Sequence, residues 1–198
     1  LLGDPAVMLN YPTEYNVVTE KINNKLVQPT DTLKALSVDS VQGYISDING
    51  TKVTDFNGTL EITIYDKAQR ITTLNNHNDG TLTYTDRPNV LYAGKANVKN
   101  GEFSFTFMIP KDIRYNFGTG RISYYASDAT QEKEAQGYYE NFIVGGSSTS
   151  YQHETEGPVV KMYLNNENFV SGGKVNETPL FAANISDING INTVGSGI

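Results

Sequence analysis

Few side chains in this 198-residue sequence are suited to breaking bonds or holding a metal. There is no cysteine, and the only histidines are His77 and His153, which excludes thiol nucleophiles, disulfides, thiolate metal sites and multi-histidine cages. A serine nucleophile would need one of those histidines beside it as base. His77 lies in Asn75-Asn76-His77-Asn78-Asp79-Gly80 and His153 in a Gly/Ser-rich connection, so both read as solvated loop residues. Carboxylate pairs of the glycosidase kind can be drawn from Asp66, Asp112, Asp128 and Glu140, yet no spacing singles out one pair. Asp47-Ile48-Asn49-Gly50 echoes part of a calcium loop but lacks the rest of the ligand series and its terminal Glu. No catalytic residue, metal site or cofactor is therefore expected.

Tyrosines are the remaining candidates. Tyr124, Tyr125, Tyr138 and Tyr139 flank an acidic loop of mixed charge, Asp128 to Glu134, and exposed rings can stack on sugars or fill protein interfaces. Adjacent residues of a strand point to opposite faces, so half of these rings belong to packing. Tyr125 and Tyr139 are taken as the contacts for a partner protein or a glycan. The absence of Trp weighs against the glycan. A net charge of −7 leaves no basic field to neutralise phosphates, so nucleic acid is not an expected partner.

Whatever these residues do, strands must position them. Period-2 alternation recurs along the chain and helical periodicity is nearly absent. In Leu60 to Asp66 apolar residues occupy every second position, and in Glu102 to Ile109 the residues Phe103, Phe105, Phe107 and Ile109 share one face. Further strands are expected near 36–47, 90–98, 121–126 and 138–144. Asn100-Gly101 supplies the two positive φ values of a type I′ turn, which sets Lys99 opposite Glu102, Val98 opposite Phe103, Ala96 opposite Phe105 and Gly94 opposite Phe107.

These segments predict an all-β fold, an antiparallel immunoglobulin- or fibronectin-like β-sandwich over residues 28–146 followed by an incomplete second β module. Gly145-Gly146-Ser147-Ser148-Thr149-Ser150 has linker composition, and residues 147–157 are assigned as the linker. Residues 158–198 are too few for a full sandwich, and their expected strands, 159–164 and 179–186, should if ordered pair with the first domain or exchange with a second copy in a dimer, and otherwise be mobile. Ile45-Ser46-Asp47-Ile48-Asn49-Gly50 recurs word for word as Ile185-Ser186-Asp187-Ile188-Asn189-Gly190, which marks equivalent strand-ending turns in two related modules.

Several stretches are also familiar as a set. Leu1-Leu2-Gly3-Asp4-Pro5-Ala6 with Tyr11-Pro12 resembles the close of the catalytic domain in gingipain-like cysteine peptidases. Phe56 to Leu60, Ile109 to Tyr115, Gly118 to Ala126, Val144 to Gly146 and Gly190 to Ile198 resemble, in order and spacing, the C-terminal β-sandwich region of the type IX secretion system sortase of that family. The resemblance implies that residues 1–27 are the tail of a preceding peptidase domain with its linker, that the chain is part of something longer, and that it sits outside the cell or on the outer-membrane surface of a Gram-negative bacterium. The family's nucleophilic Cys and its His lie upstream, so no catalytic role carries over.

The expected function is a non-catalytic accessory sandwich that buttresses the peptidase domain or contacts cargo or secretion-system proteins. The alternatives are a plain spacer, a carbohydrate-binding or adhesin-like surface module, and an independent glycosidase. No bilayer-spanning apolar run is present.

Overall fold

The computed structural model describes residues 11–111, 113–130, 132–149, 156–187 and 191. Its strands are β1 (Tyr15–Ile22), β2 (Lys25–Leu26), β3 (Thr32–Ala35), β4 (Val38–Asp47), β5 (Gly58–Tyr65), β6 (Gln69–Thr72), β7 (Thr83–Asp86), β8 (Val90–Lys99), β9 (Glu102–Met108), β10 (Gly118–Thr119), β11 (Arg121–Asp128), β12 (Glu134–Tyr139), β13 (Ile143–Ser147), β14 (Val159–Leu164) and β15 (Phe181–Ser186). The described residues contain no helix. The all-β class expected from the alternation is the class found.

Seven strands close into a barrel-like ring in the order β12-β11-β5-β8-β9-β4-β1, with β1 returning to β12 and β2 appended to β1. Most neighbours are antiparallel and fully zipped, as along β5 and β11 from Arg121↔Tyr65 to Asp128↔Gly58. Two seams are thin. The β8–β9 pair holds only at Val98↔Phe103 and Lys99↔Glu102, and β1 meets β12 in parallel only at Tyr15↔Ala135 and Asn16↔Gln136. A smaller sheet, β10-β13-β3, buries Leu33, Ala35 and Val144 completely, and β6 pairs with β7 in an exposed hairpin.

The ring's interior is filled by the alternating positions. Leu60, Ile62 and Ile64 of β5 and Phe103, Phe105 and Phe107 of β9 are all buried, while the residues between them face outward or are half-buried. The Asn-Gly turn forms with φ of 52° at Asn100 and 73° at Gly101. The expected pairing of β8 with β9 is found for the first two pairs only; on their other edges Ala96 and Gly94 face Leu60 and Ile62 of β5, and Phe105 and Phe107 face Val41 and Asp39 of β4. Aromatic rings gather on the inner face of these strands. Tyr92 stacks on Phe105 at 6.2 Å and meets Phe107 at 5.4 Å, and Phe103 lies 5.7 Å from Tyr124. A flat hairpin would leave them no interior.

Three boundaries need correction. The ring begins at β1, inside the 1–27 segment, because Val17 and Ile22 are buried and pair with Ile45 and Val41 of β4. Residues 138–144 form no single strand, since β12 ends at Tyr139 and β13 starts at Ile143. The first part of the Gly/Ser run is docked rather than loose: Gly146 donates its N–H to the Tyr115 carbonyl and Ser148 to that of Ala35. A Cβ on Gly145 would come within 2.8 Å of the Asn116 carbonyl oxygen, so glycine there permits close approach.

In the tail, β14 and β15 pair with each other from Val159↔Ser186 to Leu164↔Phe181. Among the described residues no strand of the ring pairs with either, in contrast to the expected docking onto the first domain.

Candidate functional site

A cleft of about 500 Å³ lies where the β6–β7 hairpin approaches the outer face of β11. Its chemistry comes from three side chains. Arg87, just after β7, donates from Nη2 to Glu140 Oε1 at 3.2 Å, and Arg121 Nη1 lies 3.4 Å from the same oxygen. Arg121 Nε also donates to Ser123 Oγ at 3.2 Å, and its guanidinium sits 4.5 Å over the Tyr138 ring. Asp86 lines the cleft as well, so its two guanidiniums are balanced by two carboxylates, and the surface is polar rather than cationic. No hydroxyl here faces a histidine.

Tyr125 and Tyr139 are not brought together. Tyr125 is 38% exposed on the outer face of β11 and donates its hydroxyl to Glu134 Oε1 at 2.6 Å, a bond to a carboxylate that pushes its pKa up. Tyr139 packs against the core, stacked on Phe142 at 6.0 Å, with its hydroxyl donated to the Asn141 carbonyl. The tyrosine that shares the outer face with Tyr125 is Tyr138, 63% exposed and opposite Ser123. Alternation states that one of Tyr138 and Tyr139 turns outward; the register onto β11 decides which.

The other candidates are engaged elsewhere. Asp66, one of the carboxylates from which a pair could be drawn, is buried beside Lys67, whose Nζ lies 2.6 Å from Asp66 Oδ1 and donates to the Arg114 carbonyl at 2.8 Å. Asp66 Oδ2 is buried without a partner among the described residues. Asp128 Oδ1 accepts the backbone N–H groups of Glu132 and Lys133, which organises its own loop and, with the Thr130 hydroxyl on Oδ2, holds its pKa down. Asp47 Oδ1 accepts from the N–H groups of Asn49 and Thr51, so the apparent calcium loop is a hydrogen-bonded turn. Asp112 and His153 lie outside the described residues, and His77 is exposed between β6 and β7. No group of three metal-ligating side chains occurs among the described residues, and no helix there is long and apolar enough to cross a membrane. Arg87 and Arg121 went unnoticed because only β6–β7 and the β11–β12 register bring them to Glu140.

No family profile and no curated protein matches the sequence. A solved structure does. The chain is similar to a segment of PorU from Porphyromonas gingivalis, solved as dimeric latent PorU, with 36% identity and a TM-score of 0.72 over 99% of this chain. The chain spans 19% of the PorU chain. Spo0M, a sporulation control protein from Bacillus subtilis, matches 67% of this chain and 49% of its own at 12% identity and a TM-score of 0.38, which carries no argument.

Proposed function

We propose that this chain is a non-catalytic accessory domain of a gingipain-like type IX secretion sortase, placed at the surface of a Gram-negative bacterium, where it buttresses the peptidase domain or contacts cargo or secretion-system proteins. The observation that carries the reading is the similarity to PorU over 99% of this chain and a small fraction of that one. The motifs from Phe56 to Leu60 and from Gly118 to Ala126 give the same direction from sequence. The guanidinium cluster at Arg87 and Arg121 is the contact surface, and the ring is a closed variant of the immunoglobulin-like sandwich, its two faces joined by thin seams. Residues 158–187 are the start of a second module.

A chimera tests this. Replacing the matching segment of PorU by this chain is expected to preserve processing and surface delivery of a reporter carrying a C-terminal sorting domain, whereas an unrelated β domain of equal length should not. Equal rescue by the unrelated domain would make the segment a spacer. The isolated chain is expected to cleave no such reporter; turnover abolished by His77→Ala would overturn the non-catalytic reading.

Glycan binding has one observation in its favour, the exposure of Tyr125 and Tyr138 on a common face. It predicts array binding lost in Tyr125→Ala and Tyr138→Ala. Tyr139→Ala is expected to lower stability instead, because that ring is packed.

A further inference from the structure

Among the described residues β6 and β7 pair only with each other, and the hairpin they form is tied to the ring through Arg87, which bonds Glu140. The cleft between hairpin and ring, about 500 Å³, falls within the roughly 300–1,000 Å³ usual for small-molecule sites. Such sites are mostly apolar, with a few polar groups that fix orientation. Here the proportion is reversed, since Thr85, Asp86, Arg87, Arg121, Ser123 and Glu140 all line the cleft.

These groups hold one another in place and still have bonding capacity to spare. Glu140 uses Oε1 for both arginines, and Asp86 uses Oδ1 for the Arg87 backbone N–H at 2.8 Å, so each keeps a second oxygen as acceptor. Ser123 accepts the Arg121 Nε–H, which leaves its own hydroxyl proton to donate, and the Thr85 hydroxyl makes no bond among the described residues. Arg87 spends one nitrogen on Glu140 and keeps the rest of its planar fork. With its side chain 19% exposed, Arg87 is largely withdrawn from bulk solvent, where a bond to a ligand counts for more.

Charge separates the ligand classes. Two guanidiniums stand beside two carboxylates, so an anion drawn by the first pair is repelled by the second, and a cation meets the reverse. A neutral ligand that donates and accepts at neighbouring atoms can use both pairs. A hydroxyl does both, and adjacent hydroxyls on a pyranose ring are spaced to meet the two oxygens of a carboxylate or two N–H groups of a guanidinium. Tyr65, opposite Arg121 on β5, adds an aromatic wall on which the C–H face of such a ring can pack.

We propose that this cleft is a binding site for a neutral saccharide, its hydroxyls shared between the Arg87 and Arg121 forks and the unspent carboxylate oxygens of Asp86 and Glu140. The site goes beyond the glycan reading above, which rests on the face shared by Tyr125 and Tyr138: Tyr125 lies outside the cleft, with its hydroxyl on Glu134.

The probes are the methyl glycosides of galactose, mannose and glucose, with methyl glucuronide as the charged control, each titrated to tens of millimolar into the isotope-labelled chain. A neutral glycoside is expected to shift the amides of residues 85–87, 121–123 and 140, and the glucuronide to bind no better. Glu140→Gln unbalances the charge, so the neutral glycoside should weaken and the glucuronide should gain. If that variant moves the hairpin away from β11, Thr85→Val takes its place: it keeps the shape and removes only an unbonded hydroxyl, and should weaken the neutral glycoside about three- to tenfold, the worth of one hydrogen bond. Tyr125→Ala is expected to leave the affinity unchanged. The site is overturned if no neutral glycoside moves those amides, if the glucuronide binds the parent chain more tightly than every neutral probe, or if affinity falls in Tyr125→Ala and not in Thr85→Val.

Discussion

Lys67 is buried with its ammonium held between the Asp66 carboxylate and the Arg114 carbonyl, so its removal strands a charge rather than losing a contact. Lys67→Met is expected to destabilise by about 3–5 kcal/mol, and Asp66→Asn with Lys67→Met by much less, since the buried charge has then gone too. A double-mutant cycle by urea unfolding measures the difference. Asp39 is a second buried carboxylate. Burial raises its pKa, outweighing the bonds from Ser37 and Asn23 that lower it. The folded chain thus holds that proton more tightly than the unfolded chain, and the associated stability, full below the ordinary carboxylate pKa, is lost as pH rises through the raised value. Asp39→Asn should therefore gain on the parent as pH rises from about 4 to 7. Asp55, Glu102 and Asp128, whose values are lowered, lose stability as pH falls and are common to both proteins, so the difference in urea midpoints isolates Asp39. A difference that does not change with pH would contradict the assignment.

At the scale of elements, the β8–β9 hairpin combines a strained turn with a packed strand. Gly101 has a φ of 73°, and a Cβ there would meet the Val53 carbonyl oxygen at 2.2 Å, so Gly101→Val should destabilise by at least about 1–3 kcal/mol. Phe105→Ala, which empties the centre of the ring stack, should lose about 3–5 kcal/mol. Unchanged thermal midpoints would remove both arguments. This hairpin also shows where sequence stops being legible. Asn100-Gly101 and the alternating phenylalanines announce the turn, its first two pairs and the buried face. They do not reveal that β8–β9 pairing stops after two pairs, or that β4 and β5, which come from elsewhere in the chain, take the other edges of the two strands. β1 was hidden for a related reason: Val17-Val18-Thr19-Glu20 breaks its alternation at the bulge. The cleft was the least legible feature, since Arg87, Arg121 and Glu140 meet only through strand register.

For the whole molecule, the parallel contact of β1 with β12 makes order of events a property of the fold. It joins Tyr15 to Ala135, roughly 120 residues apart, whereas β4 can reach β1 as soon as Asp47 is available. A chain that emerges with its N-terminus first therefore carries β1 and β4 as an early pair and keeps the last seam open until residues 134–139 arrive. Refolding followed by pulsed amide exchange is expected to protect β4 before β12, with closure on the slow, millisecond-to-second scale typical of non-local β pairing. Simultaneous protection of both would show a single concerted step. Until closure, the N-terminal part of the outer edge of β1, beyond the stretch that β2 covers, is an open template for any strand that arrives first, so the interval before residue 134 emerges is when this domain is most exposed to mispairing with its neighbours.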